Sequence, residues 1–192
     1  MGLSNWLFQR HERELTRVGE LRAEAVSNPK RADVAGLVEV LDGDPSPQAG
    51  RLAVQGVAAV AEAYPGRLRS VVPDLIVATS VEGPVPNHRG TAARALAHVV
   101  AAHPGSVTQY VNAVDDSLRE EVAATGAVTV GVTFDEQTVE ALCRVLAAAD
   151  TKPARRSLRE LRAHDHPAVS ETAERALGTT SDATARTDAT LS

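Results

Sequence analysis

The chain has 192 residues and a formal net charge of −5, with 43% hydrophobic residues but only 3% aromatic. That is enough apolar mass for one domain with a core built from Ala, Val and Leu, and too much for a disordered chain. The acidic balance disfavours a free polyanion as the default partner, the single Cys143 excludes an internal disulfide, and no apolar run approaches the roughly 18 residues of a membrane helix.

The opening MGLSNWLFQR holds too short an apolar stretch for a secretory signal. Trp6 stands where myristoylation needs Ser or Thr. These absences lead to the expectation of a cytoplasmic protein. Residues 1–28 read as a long N-terminal capping helix from Leu3 to Ser27, with Phe8, His11, Leu15, Val18 and Ala25 along one stripe. Trp6 and Phe8 are expected to bury against the first helix pair; the other reading is an exposed docking patch. Helices are then expected over 31–41, 47–64, 67–80, 86–103 and 106–123. Ala127 to Phe134 alternates like a strand, but a lone strand has no partner, so it reads as an extended loop. Thr133 and Glu136 form a capping-box spacing that opens a helix over 134–149. Shorter helices follow over 153–163 and 167–177, with Gly178 as the stop. Residues 179–192 have almost no apolar mass and read as a disordered tail.

Two of these stretches are versions of each other. Pro65-Gly66 and Pro104-Gly105 each follow an alanine-rich run and stand 39 residues apart. The same offset aligns Pro47 with Pro86, Ala53 with Ala92, Gly56 with Ala95, Val57 with Leu96 and Val60 with Val99. Further on it aligns Leu68 with Val107, Val72 with Val111 and Leu75 with Val114. A third, partial copy begins at His166, with Pro167 on Pro86, Thr172 on Thr91, Arg175 on Arg94 and Leu177 on Leu96. A fixed period near 40 marks arrays of helix pairs. Proline opens each second helix with a preset φ and no needed N–H, and Pro-Gly ends it. Gly56 costs about 1 kcal/mol inside a helix; its counterpart is Ala95, so a close neighbouring helix is the expected reason.

The segment Val71 to Val99 resembles a HEAT repeat, on Pro73 in the first helix and on Pro86, Arg89 and Ala92 to Ala97 in the second. Val34 to Val54 is a second match, with Asp44-Pro45 in its turn. The resemblance is good over 31–124 and degenerate over 133–178. It implies an all-α fold, a short right-handed α-solenoid of αα repeats in a single domain, 1–178, before the tail. Two copies depart from the pattern: Gly50 and Ser170 occupy the position of Arg89, so their turns lack whatever tie that arginine makes.

The functional expectation is a non-enzymatic scaffold or adaptor holding another protein on a concave helical surface, with no cofactor and no metal. Outward positions on the second helices are the candidate contacts: Gln55 and its equivalent Arg94, then Glu62 and His98. The alternative is a nucleic-acid-binding protein using Lys152, Arg155, Arg156, Arg159 and Arg162, which share one face of a helix; the same stripe also reads as a solvated outer face. The absence of interleaved aromatics weakens the case for a single-stranded ligand. His164, Asp165 and His166 read as a turn in which Asp165 or His166 caps the next helix, since no third ligand has metal-site spacing. Asp115-Asp116 and Glu120-Glu121 read as solvated surface, and Cys143 as a small buried core residue. Partner identity and oligomeric state are not encoded in any motif.

Overall fold

The computed structural model describes the backbone of residues 2–124 and 134–190, and the side chains of residues 9, 11–124 and 134–178. Nine α-helices and no strand occur among the described residues. They are α1 Gly2–Ser27, α2 Val34–Asp42, α3 Pro47–Ala63, α4 Val72–Thr79, α5 Arg89–Ala102, α6 Val111–Ala123, α7 Glu136–Ala149, α8 Lys152–Arg162 and α9 Pro167–Thr190. The extended loop expected at 127–134 and the capping role expected of Thr133 lie outside the described residues, apart from Phe134; so do the side chains of Trp6 and Phe8.

The helices pack in two rows. Helix α1 lies against α3, α3 against α5, α5 against α7 and α7 against α9. On the other side α2 touches α4, α4 touches α6 and α6 touches α8. Each second-row helix also packs on the first-row helix that follows it. The core runs between the rows, and every apolar pair aligned by the 39-residue offset is buried in it, from Ala53 and Ala92 to Leu75 and Val114. Small side chains allow this close packing. A methyl group on Gly56 would stand 2.9 Å from Leu37 Cδ2 of α2 and 3.4 Å from the Arg22 Cα of α1, the close approach the sequence leads one to expect.

Helix starts follow the sequence signals with local corrections. Ser46 caps α3 through the Ala49 N–H, and Thr151 caps α8 through the Ala154 N–H. The helices expected from 67 and 106 begin later, at Val72 and Val111. Before them the chain forms 3-10 turns at Pro65–Val71, Pro104–Ser106 and Thr108–Tyr110. For α4 the reason is Pro73, which has no N–H to bond back to residue 69 and so sits at the start of an α-helix. Leu68 in the first turn and Val107 between the other two dip into the core, both fully buried.

At the carboxy end the expectation fails. Helix α9 passes through Gly178 and continues to Thr190, in place of a stop and a disordered tail. Residues 179–190 contain no proline, so no i to i−4 bond is forfeited, and one interior glycine costs only about 1 kcal/mol.

Candidate functional site

The residues singled out from the sequence fall on both rows. In the first row, Arg94 and His98 are exposed on α5. They share a groove of about 200 Å³ with Ala97, Ala101 and, from α7, Ala141 and Arg144. Gln55, on α3, is half-buried, and its Oε1 accepts a hydrogen bond from Arg22 Nε at 2.9 Å. Its side chain is therefore engaged with α1, whereas Glu62 near the end of α3 is exposed. The structure brings Arg94 and His98 together and leaves Gln55 and Glu62 apart from them.

The five cations of the second row lie along α8. Apolar Leu158 and Leu161 turn inward and are buried, so the charged stripe faces solvent. Two of the five have intramolecular partners. Arg155 grips Asp150 with two nearly parallel bonds, Nε to Oδ1 at 2.6 Å and Nη2 to Oδ2 at 2.7 Å. That guanidinium holds the Asp150 carboxyl below the ordinary carboxylate range. Arg156 Nε donates to Glu160 Oε1 at 2.8 Å. Glu160 also receives Arg119 Nη2 of α6 at 2.8 Å, and Arg119 in turn pairs with Asp115 at 2.9 Å. Arg119 first, then Arg156, lowers the Glu160 carboxyl in the same way. Among the described residues, Lys152, Arg159 and Arg162 remain exposed without an ion pair.

One acidic residue read as surface is a core group. Glu121, at the end of α6, and Arg89, at the start of α5, show only 1% and 6% side-chain exposure. Arg89 Nε donates to Glu121 Oε2 at 2.9 Å and Nη2 to Oε1 at 3.3 Å. Nη1 of the same guanidinium donates to the Pro86 carbonyl. Glu121 Oε1 also accepts the Asp135 backbone N–H at 2.6 Å. The carboxylate is buried because all its charge is answered within reach. Glu120, one residue earlier, stays exposed. Arg89 thus ties the start of α5 to the end of α6 through Glu121, and Glu121 in turn ties both to Asp135 at the start of α7.

The start of α7 is held by a side chain that the sequence reading did not single out. Asp135 is the cap: its Oδ1 accepts the Gln137 N–H at 3.0 Å and its Oδ2 accepts the Thr138 hydroxyl at 2.7 Å. Before α9, the engaged side chain is His164, whose Nδ1 accepts the His166 N–H at 3.1 Å, and neither Asp165 nor His166 caps through its side chain. The His166 ring instead packs against Phe134, centroids 4.9 Å apart. Cys143 is fully buried on α7, and burial pushes its thiol up to about 12, so it is no nucleophile at neutral pH. No group of three His, Cys, Asp or Glu capable of holding a metal occurs among the described residues. No described helix is long and apolar enough to cross a membrane.

Sequence reasoning missed Arg144 and Ala141 as partners of Arg94 and His98. The available signal was the spacing of Gln137, Glu140, Arg144 and Ala148, which marks the outward stripe of α7. Comparison of the chain with family models, with curated proteins and with solved structures finds no match.

Proposed function

We propose that the protein is a non-enzymatic interaction module, a short right-handed α-solenoid of HEAT-like helix pairs that holds another protein in the cytoplasm. The observation that carries the reading is the two-row packing, in which α1, α3, α5, α7 and α9 follow one another side by side. Such a row offers an extended surface, the kind helical-repeat proteins use to hold macromolecules. Exposed Glu62, Arg94 and His98 lie along it. The rival reading, nucleic-acid contact through α8, is weakened because Arg155 and Arg156 already carry carboxylate partners.

Charge reversal tests the scaffold reading. Arg94→Glu and Glu62→Lys are expected to weaken capture of the native protein partner from host lysate, with nuclease treatment making no difference. Unchanged capture by both variants places the interface elsewhere, and capture abolished by nuclease favours the α8 stripe.

A further inference from the structure

We infer that the groove between α5 and α7 is an anchor site for a carboxylate side chain of an acidic segment on the partner protein. The inference rests on the scaffold reading and adds the chemistry of what is held. The floor of the groove is alanine: Ala97 and Ala101 from α5, Ala141 from α7. Longer side chains at these positions would close it. At about 200 Å³ it is smaller than the roughly 300–1,000 Å³ of small-molecule sites. It is the size of one anchoring side chain, with the rest of a bound segment lying along the row.

Charge fixes the kind of side chain. The whole chain is acidic, at −5, yet the lining holds two guanidiniums and an imidazole and no carboxylate. Glu140 stands beside the groove but is already shared: its Oε1 accepts from Arg144 Nη2 at 2.6 Å and lies 3.9 Å from Arg175 Nη1 of α9. One carboxylate against these two cations leaves a positive surplus. Arg94 is exposed and has no hydrogen-bond or ion-pair partner among the described residues. A guanidinium matches a carboxylate bidentately, and its aliphatic stem lies well on an apolar floor. The position aligned with Arg94 one repeat earlier is Gln55, which Arg22 already occupies. The α5–α7 junction is thus an open, cationic version of a position that is engaged on α3.

The test is fluorescence anisotropy at low salt with labelled short peptides of alternating Glu and Ala, Lys and Ala, or Ser and Ala, and a labelled single-stranded oligonucleotide. The full chain is compared with Arg94→Glu, with Ala101→Leu, which fills the groove without touching charge, and with Arg159→Glu on α8. Ala101 is exposed, so that variant keeps the fold. The expected result is binding of the Glu/Ala peptide alone. Arg94→Glu and Ala101→Leu each weaken it about tenfold or more, a change of about 1.4 kcal/mol, and Arg159→Glu leaves it unchanged. Equal loss in Arg159→Glu, or none in Arg94→Glu and Ala101→Leu, overturns the site as diffuse attraction. Binding of the Lys/Ala or Ser/Ala peptide, lost in Glu62→Lys, overturns the acidic partner while the scaffold reading stands. Binding of the oligonucleotide with no peptide overturns both.

Discussion

Arg89 and Glu121 show how one pair of side chains makes a position indispensable. Each is buried with its charge satisfied by the other and by nearby backbone groups. Removing one partner strands the other in a low-dielectric interior, which costs far more than the pair contributes. Glu121→Ala is expected to lose about 3–5 kcal/mol in urea denaturation. The double variant Arg89→Met with Glu121→Leu is expected to lose much less than the two single losses combined, because no charge is left alone. Cys143 gives a pH effect of definite sign. Its thiol titrates near 9.0 in the ordinary state and about 12 in the folded chain. Folding therefore favours the protonated thiol, and its contribution is complete below pH 9 and falls as pH rises toward 12. Cys143→Ala is expected to flatten the alkaline fall of stability measured by denaturant titration.

At the scale of elements, the caps decide where helices begin. Asp135 serves α7 with two acceptor bonds from its side chain and ties its own N–H to Glu121. Asp135→Ala is expected to cost about 1–2 kcal/mol, read as a lower thermal midpoint with circular dichroism unchanged at low temperature. The helices over 47–63 and 89–102 were legible within a few residues, because proline starts, Pro-Gly ends and apolar spacing agree there; those over 34–42 and 152–162 were legible from apolar spacing, with Pro153 at the start of the second. Asp135 was harder to read: Thr133 and Glu136 offered a capping spacing of their own, and local sequence does not say which of two nearby caps the tertiary bond to Glu121 selects. Glu121 was illegible for a related reason. It looks identical to Glu120 until the Arg89 of another helix, 32 positions away, is brought against it. The groove was half legible: repeat alignment singled out Arg94 and His98, but Ala141 and Arg144 join them only through the contact of α5 with α7.

For the molecule as a whole, the rows make neighbours matter more than distance. Helix α7 touches α5 and α6 on one side and α8 and α9 on the other, while α8 and α9 close the described array. Arg175 of α9 acts electrostatically on the Cys143 thiol, so α9 lies close over that part of α7. On the proposed solenoid reading, the rows open by parts, terminal units at lower free energy than the middle. The single cysteine thereby becomes a built-in clock for the carboxy-terminal end. A thiol reagent reaches it only while α7 is uncovered, so the labelling rate in native buffer counts openings in the way amide exchange does. The opening free energy obtained from that rate is expected to fall below the global unfolding free energy from urea. Equality of the two would mean that the whole array opens as one cooperative unit.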